Sequence, residues 1–137
     1  MKTIIYNADI ANEGRLTRGY IVIDDEIIAE VGEGEPAAAA LVMPGVIDDQ
    51  VHFRDPGLTH KADIATESAA AVAGGVTSYM DMPNTVPPTV TIDALEAKNR
   101  RAQEVSVANY GFFIGATNDN LKTLMAVDYS YTPGVKL

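Results

Sequence analysis

Past residue 43 the apolar residues switch repeatedly between a period of two and a period near 3.6. That alternation limits the fold more than any other feature of the chain. A β-rich run carries Val46, Ile47, Val51 and Phe53 between two Pro-Gly turn signals, Pro44-Gly45 and Pro56-Gly57. From His60 to Ala73 the chain is Ala-rich, with Ile64, Ser68, Ala69 and Val72 on one side of a helix and Lys61, Asp63 and Glu67 elsewhere. Gly74-Gly75 stops that helix. Val76 to Met82 reads as a second strand, ended by Pro83. Thr91 is an N-cap, and Asp93 favours the first turn of a helix running to about Glu104. Val107 to Ile114 is a third strand. Asn118 caps a short helix bearing Leu121, Leu124 and Met125, and Pro133 precedes a last strand, Gly134 to Leu137. Strands alternating with helices in this order predict an α/β fold, a parallel sheet with helical crossovers.

Residues 1–43 read differently. Ile4, Ile5, Tyr6, Ala8 and Ile10 alternate loosely up to the turn signal Asn12-Glu13-Gly14. Tyr20-Ile21-Val22-Ile23 and Ile27-Ile28-Ala29-Glu30-Val31 flank Asp24-Asp25, the pattern of a tight hairpin, which Gly32, Gly34 and Pro36 end. Short antiparallel strands are expected here, with Ala37 to Ala40 as a surface connection. The boundary between the two regions is placed at residues 43 and 44.

Composition narrows the function. With a net charge of -9, the chain lacks the clustered cations that phosphate backbones need. Its one basic cluster, Lys98, Arg100 and Arg101, reads as a solvated helix face. No stretch approaches the ~18 apolar residues of a membrane span. There is no cysteine and no signal-peptide pattern, which fits a cytoplasmic protein. Neither nucleic acid nor a membrane is expected as a partner.

The chemistry concentrates in residues 44–57. On a strand, Asp48, Gln50, His52 and Arg54 share one face, and Ile47, Val51 and Phe53 share the other with Asp49. Four polar groups on a core face would each need a partner. They suit the wall of a site for a metal and an anion. Arg54 offers a planar fork of donors matched to a carboxylate, and Asn84 offers an amide. His60 and Asp63 read as helix-start residues, and Asp55 and Asp81 as makers of structural hydrogen bonds at strand ends.

These residues resemble the first barrel strand of the amidohydrolase superfamily, and within it the dihydroorotases, whose motif reads Asp-x-His-x-His-x-Arg-x-Pro-Gly. Asp48, His52, Arg54, Pro56 and Gly57 match; the first histidine of the motif is Gln50 here. Asp81-Met82-Pro83-Asn84-Thr85 with the following Pro-Pro-Thr is similar to a second dihydroorotase signature.

The resemblance implies a (β/α)8 barrel, with residues 44–137 as its first four β/α units and 1–43 as part of a small β-sandwich. A complete barrel of this kind takes roughly 250 residues, so about half is expected here. It implies one or two zinc ions, with His52 as ligand, Lys136 as a ligand after carbamylation, and Gln50 as a weakened or lost ligand. Arg54 and Asn84 would hold the substrate carboxylate. A general acid/base aspartate and two further histidines are expected beyond Leu137. The implied reaction is reversible ring opening of dihydroorotate to carbamoyl-aspartate in pyrimidine synthesis, on a small-molecule substrate. The implied protein partners are a second copy of the chain or an aspartate transcarbamoylase. Two alternatives stay open: a hydantoinase- or allantoinase-like cyclic amidohydrolase, and a catalytically impaired scaffold protein, which Gln50 makes credible.

Overall fold

The computed structural model describes residues 1–34 and 40–137. It divides into two compact units, Met1–Pro44 and Gly45–Leu137.

In the first unit, β1 (Lys2–Asn12), β2 (Arg15–Asp24), β3 (Ile27–Glu33) and β4 (Ala40–Val42) form one sheet in the order β3-β2-β1-β4. The hairpins expected at Glu13-Gly14 and Asp24-Asp25 form, with Glu13 and Asp25 at positive φ where their turns require it. Ala8, Ile10 and Ile21 make a small buried cluster on one face. Two expectations are corrected. The sheet is not wholly antiparallel, because β4 runs parallel to β1. Gly32 does not end the second hairpin but lies inside β3, where Tyr20 covers the space a side chain would take. Pro36 and most of the Ala37 to Ala40 connection lie outside the described residues, and Ala40 already belongs to β4.

The second unit begins with β5 (Val46–Val51), α1 (Ile64–Ala73), β6 (Val76–Asp81), α2 (Ile92–Val105) and β7 (Asn109–Phe112). It continues through β8 (Ile114–Gly115), α3 (Leu121–Ala126) and β9 (Val135–Lys136). β5, β6 and β7 pair in parallel in chain order, as do β8 and β9. The helical crossovers are local products of the sequence. Asp63 accepts the Thr66 N–H at 2.9 Å to start α1, and Gly75 at φ +90° turns the chain out of it. Thr91 accepts the Ala94 N–H at 3.2 Å to start α2. The short helix α3 departs from expectation. Asn120, not Asn118, stands at its N-cap, and the Asn120 side chain is used elsewhere. The expected strand 107–114 starts at Asn109 and divides at Phe113, whose N–H still bonds the Asp81 carbonyl of β6 at 3.0 Å.

Phe53, Ile64, Tyr79, Leu95, Ala102 and Phe112 form the core between sheet and helices. Tyr79 is central, with its ring 4.5 Å from Phe53 and 6.4 Å from Phe112, centroid to centroid. Burial pushes the Tyr79 hydroxyl up to about 12. A group whose folded pKa is raised contributes its full stability below its unfolded pKa and loses it as pH climbs through the folded value. Stability should therefore fall between pH ~10 and ~12, where the unfolded chain ionises its tyrosine and the fold resists. Denaturant melts across that window should show a shallower decline for Tyr79→Phe. Equal slopes would mean that the hydroxyl is solvated in the fold.

Candidate active site at the strand ends

Gln50, His52, Arg54 and Asn84 lie where β5 and β6 end, whereas Lys136 lies in β9. β5 stops at Val51, three residues before Arg54, the last member of the polar face expected on it. Its register against β6 also slips between Asp48 and Val51, with one extra residue on β5. A bulge of this kind breaks the alternation of faces. Asp48, Gln50, His52 and Arg54 are therefore not one strand face. Asp48 and Gln50 belong to the bulged strand, where the Gln50 N–H donates to Asp48 Oδ1 at 3.1 Å. His52 and Arg54 belong to the loop beyond it. Phe53, between them, is buried in the core.

Arg54 takes a left-handed backbone, φ +67°. For a residue with a Cβ this costs roughly 1–2 kcal/mol, and such strain collects where the surroundings over-determine it. Here they do. On one side the Phe53 N–H donates to Asp81 Oδ1 at 2.9 Å, and Asp81 is fully buried at the end of β6. On the other side Asp55, also buried, is met by Arg101 Nε at 3.3 Å. The Leu58 N–H closes the turn on the Arg54 carbonyl at 3.0 Å.

The loop after β6 is laid against this one. The Met82 N–H bonds the Val51 carbonyl at 3.0 Å, and the Val86 N–H bonds the Pro56 carbonyl at 3.1 Å. Gly57 sits at φ +81°, and a Cβ built on it would stand 1.9 Å from the Val86 carbonyl oxygen. Gly57→Ala should therefore cost about 2 kcal/mol or more, from the left-handed backbone and the overlap together. Thermal melts of the full-length protein would check this. An unchanged midpoint would show that the two loops part freely.

That packing brings two candidates into contact: His52 Nδ1 lies 2.8 Å from Asn84 Oδ1. With the proton on Nδ1, the imidazole donates to the amide oxygen and its Nε2 lone pair is left free, the arrangement in which a histidine is held for a metal. The amide keeps its NH2 for an outside acceptor. Gln50 and Lys136 are exposed, and Arg54 is half-buried. Among the described residues no side-chain hydrogen bond or ion pair joins any of these three to another candidate. Lys136 lies in β9, its carbonyl accepting the Ala116 N–H at 2.8 Å. Among the described residues no cluster of three or more His, Cys, Asp or Glu side chains could hold a metal ion. Among the described residues the oriented His52 imidazole is a donor suited to a metal ion, and the Lys136 amine would have to lose its positive charge to serve as one.

Asp55 and Asp81 make the structural hydrogen bonds expected of them. Lys98 corrects the solvated-face expectation. It is 1% exposed, its Nζ 2.5 Å from Asp81 Oδ2, 3.1 Å from the Met82 carbonyl oxygen and 4.8 Å from the Phe112 ring centre. Burial lowers its pKa, and the Asp81 charge opposes that. Lys98 falls three residues after Leu95 and four before Ala102, on the stripe of α2 that the fold buries.

The fold is that of the amidohydrolases, in part. Along 96% of its length the chain superposes on 32% of L-hydantoinase from Arthrobacter aurescens, with a TM-score of 0.80 and 26% identity. The dihydro-orotase-like family matches residues 39–132, and the chain belongs to that family. It is 35% identical over 136 residues to the dihydroorotase of Lactobacillus acidophilus, covering 95% of this chain and 32% of that protein. It is 40% identical over 123 residues to the allantoinase of Desulfitobacterium hafniense, covering 88% and 26% respectively. The chain thus spans between about a quarter and a third of the length of these relatives. No helix among the described residues is long and apolar enough to cross a membrane.

Proposed function

We propose that this chain is part of a cytoplasmic, zinc-dependent dihydroorotase, which hydrolyses the ring amide of dihydroorotate to carbamoyl-aspartate and reverses the reaction. The observation that carries the reading is the 2.8 Å contact between His52 and Asn84. It joins a nitrogen prepared for a metal to an amide prepared for a substrate, at the ends of adjacent parallel strands, where barrels of this type place their chemistry.

In this reading His52 Nε2 and a carbamylated Lys136 hold zinc, which when bound activates water and polarises the ring carbonyl. Arg54 grips the substrate carboxylate with its two-pronged fork, and the Asn84 NH2 adds a third donor. Together they would fix the orientation of the ring. Water adds to the carbonyl carbon, the ring C–N bond breaks, and the nitrogen leaves with a proton. The carboxylate that moves that proton and two more histidine ligands would come from outside these residues, as would any second copy or aspartate transcarbamoylase bound to the whole protein. Assays of the full-length protein on dihydroorotate, hydantoin and allantoin test the reading. Turnover of dihydroorotate well above the other two is expected, and preference for either other ring would replace this reading with its allantoinase- or hydantoinase-like alternative, which the 40% identity to an allantoinase favours.

Gln50 bears on the scaffold alternative. A neutral amide oxygen is a poorer zinc ligand than imidazole. Gln50→His in the full-length protein should raise metal stoichiometry or tighten binding. Equal content and affinity in both proteins would place residue 50 outside the ligand shell, and wild type without metal or turnover would favour the scaffold.

A further inference from the structure

We infer that Asp81 and Asp55, the two buried carboxylates whose charges helix α2 balances through Lys98 and Arg101, are positioning residues that hold Arg54 in the left-handed conformation that presents its guanidinium to a carboxylate-bearing substrate. The inference rests on the reading of Arg54 given above and goes beyond it to residues that touch no substrate.

Arg54 lies between two residues whose polar groups are each tied to a buried carboxylate. The Phe53 N–H ends on Asp81 Oδ1, and Asp55 is itself such a carboxylate. Neither charge would be tolerated there alone. α2 answers both. Lys98 pairs with Asp81 Oδ2 at 2.5 Å, and Arg101, three residues on, reaches Asp55 Oδ2 at 3.3 Å. Residues three apart share a helix face, so one face of α2 balances the charge of both carboxylates that flank Arg54. The Ile64 N–H, at the start of α1, adds a longer 3.5 Å contact to Asp55 Oδ2. An arginine placed by a strained turn is correct only while both flanks are held, and displacement of a substrate-gripping group by about 1 Å can cost 100-fold in rate.

Two double variants of the full-length protein separate positioning from plain stability. Asp81→Asn with Lys98→Met removes both charges but keeps an oxygen for the Phe53 N–H. Asp81→Leu with Lys98→Met removes both charges and the oxygen. On dihydroorotate the Leu/Met protein should show KM raised about tenfold or more with kcat within about twofold, and the Asn/Met protein should stay near wild type. Any turnover of hydantoin should be equal in both, with equal metal content. Hydrogen exchange in a peptide covering 52–58 should be faster in the Leu/Met protein only. Arg101→Gln should raise KM for dihydroorotate in the same direction by less. If the two double variants behave alike in KM and in exchange, the inference is overturned. Arg54→Ala run alongside distinguishes the failures. A loss specific to dihydroorotate in Arg54→Ala, with the doubles alike, overturns only the positioning role. A loss equal on both rings overturns the reading of Arg54 and this inference with it.

Discussion

Arg54→Ala in the full-length protein should lower kcat/KM for dihydroorotate by roughly one to three orders of magnitude. Leaving a desolvated charge without its partner costs ~2–5 kcal/mol, and each ~1.4 kcal/mol is a factor of ten. Arg54→Lys should fall nearly as far, because an ammonium offers a point charge where the carboxylate needs a fork. The loss should be much smaller on a ring without a carboxylate, and metal content should not move, since Arg54 is no ligand in this reading. Asn84→Ala should lose activity in the same direction, with a complication the structure adds: the Asn84 amide oxygen also faces His52 Nδ1. Its removal frees the imidazole to rotate or change tautomer, so Asn84→Ala should lower metal affinity as well as substrate affinity. Steady-state kinetics on two rings together with metal analysis checks all three variants. Equal losses of Arg54→Ala on both rings would make Arg54 a structural residue and remove the best support for a carboxylate-bearing substrate.

The second large effect falls on stability. Lys98→Met should destabilise the full-length protein by about 3–5 kcal/mol, the cost of leaving a buried carboxylate unpaired. The cost lies in the abandoned charge rather than in the strength of the pair. Adding Asp81→Asn should therefore recover most of it, since neutral replacements for a buried ion pair are often close to neutral in stability. Denaturant melts at neutral pH measure both. A single variant as stable as wild type would mean that water reaches Asp81.

The elements and their order were readable because they follow local rules. Periodicity marked the strands and helices, Thr91 and Asp63 had side chains that cap, and Gly74-Gly75 could leave a helix. Four features were not readable, each for a physical reason. The bulge in β5 is decided by pairing with β6, and nothing within residues 46–51 announces the slipped register. The left-handed turn at Arg54 carries no glycine to signal it, because the tertiary clamp rather than the residue imposes it. Lys98 has a polarity that points to solvent, and only the buried carboxylate across from it reverses that preference. Asn118 and Asn120 are both of a type that caps, but α3 begins after Asn120, whose side chain is taken by Thr117, Val90 and Gly115 rather than by the helix. At the candidate site, the residue types stood in the sequence, and the contact between His52 and Asn84, 32 positions apart, came only with the fold.

The bonds that hold the strand-end loops also have a direction in time. The loop after β5 is fastened by Met82 and Val86 of the next β/α unit, and the loop after β6 by Gly115 and Asn120 of the one after that. The segment following β8 is fastened in turn, Ala116 bonding the carbonyl of Lys136. Each loop is latched by chain that is made later. On the ribosome, where a chain emerges from its N-terminus, every loop must wait one unit before it can set. His52 and Arg54 are therefore translated before the later chain whose bonds hold their loop.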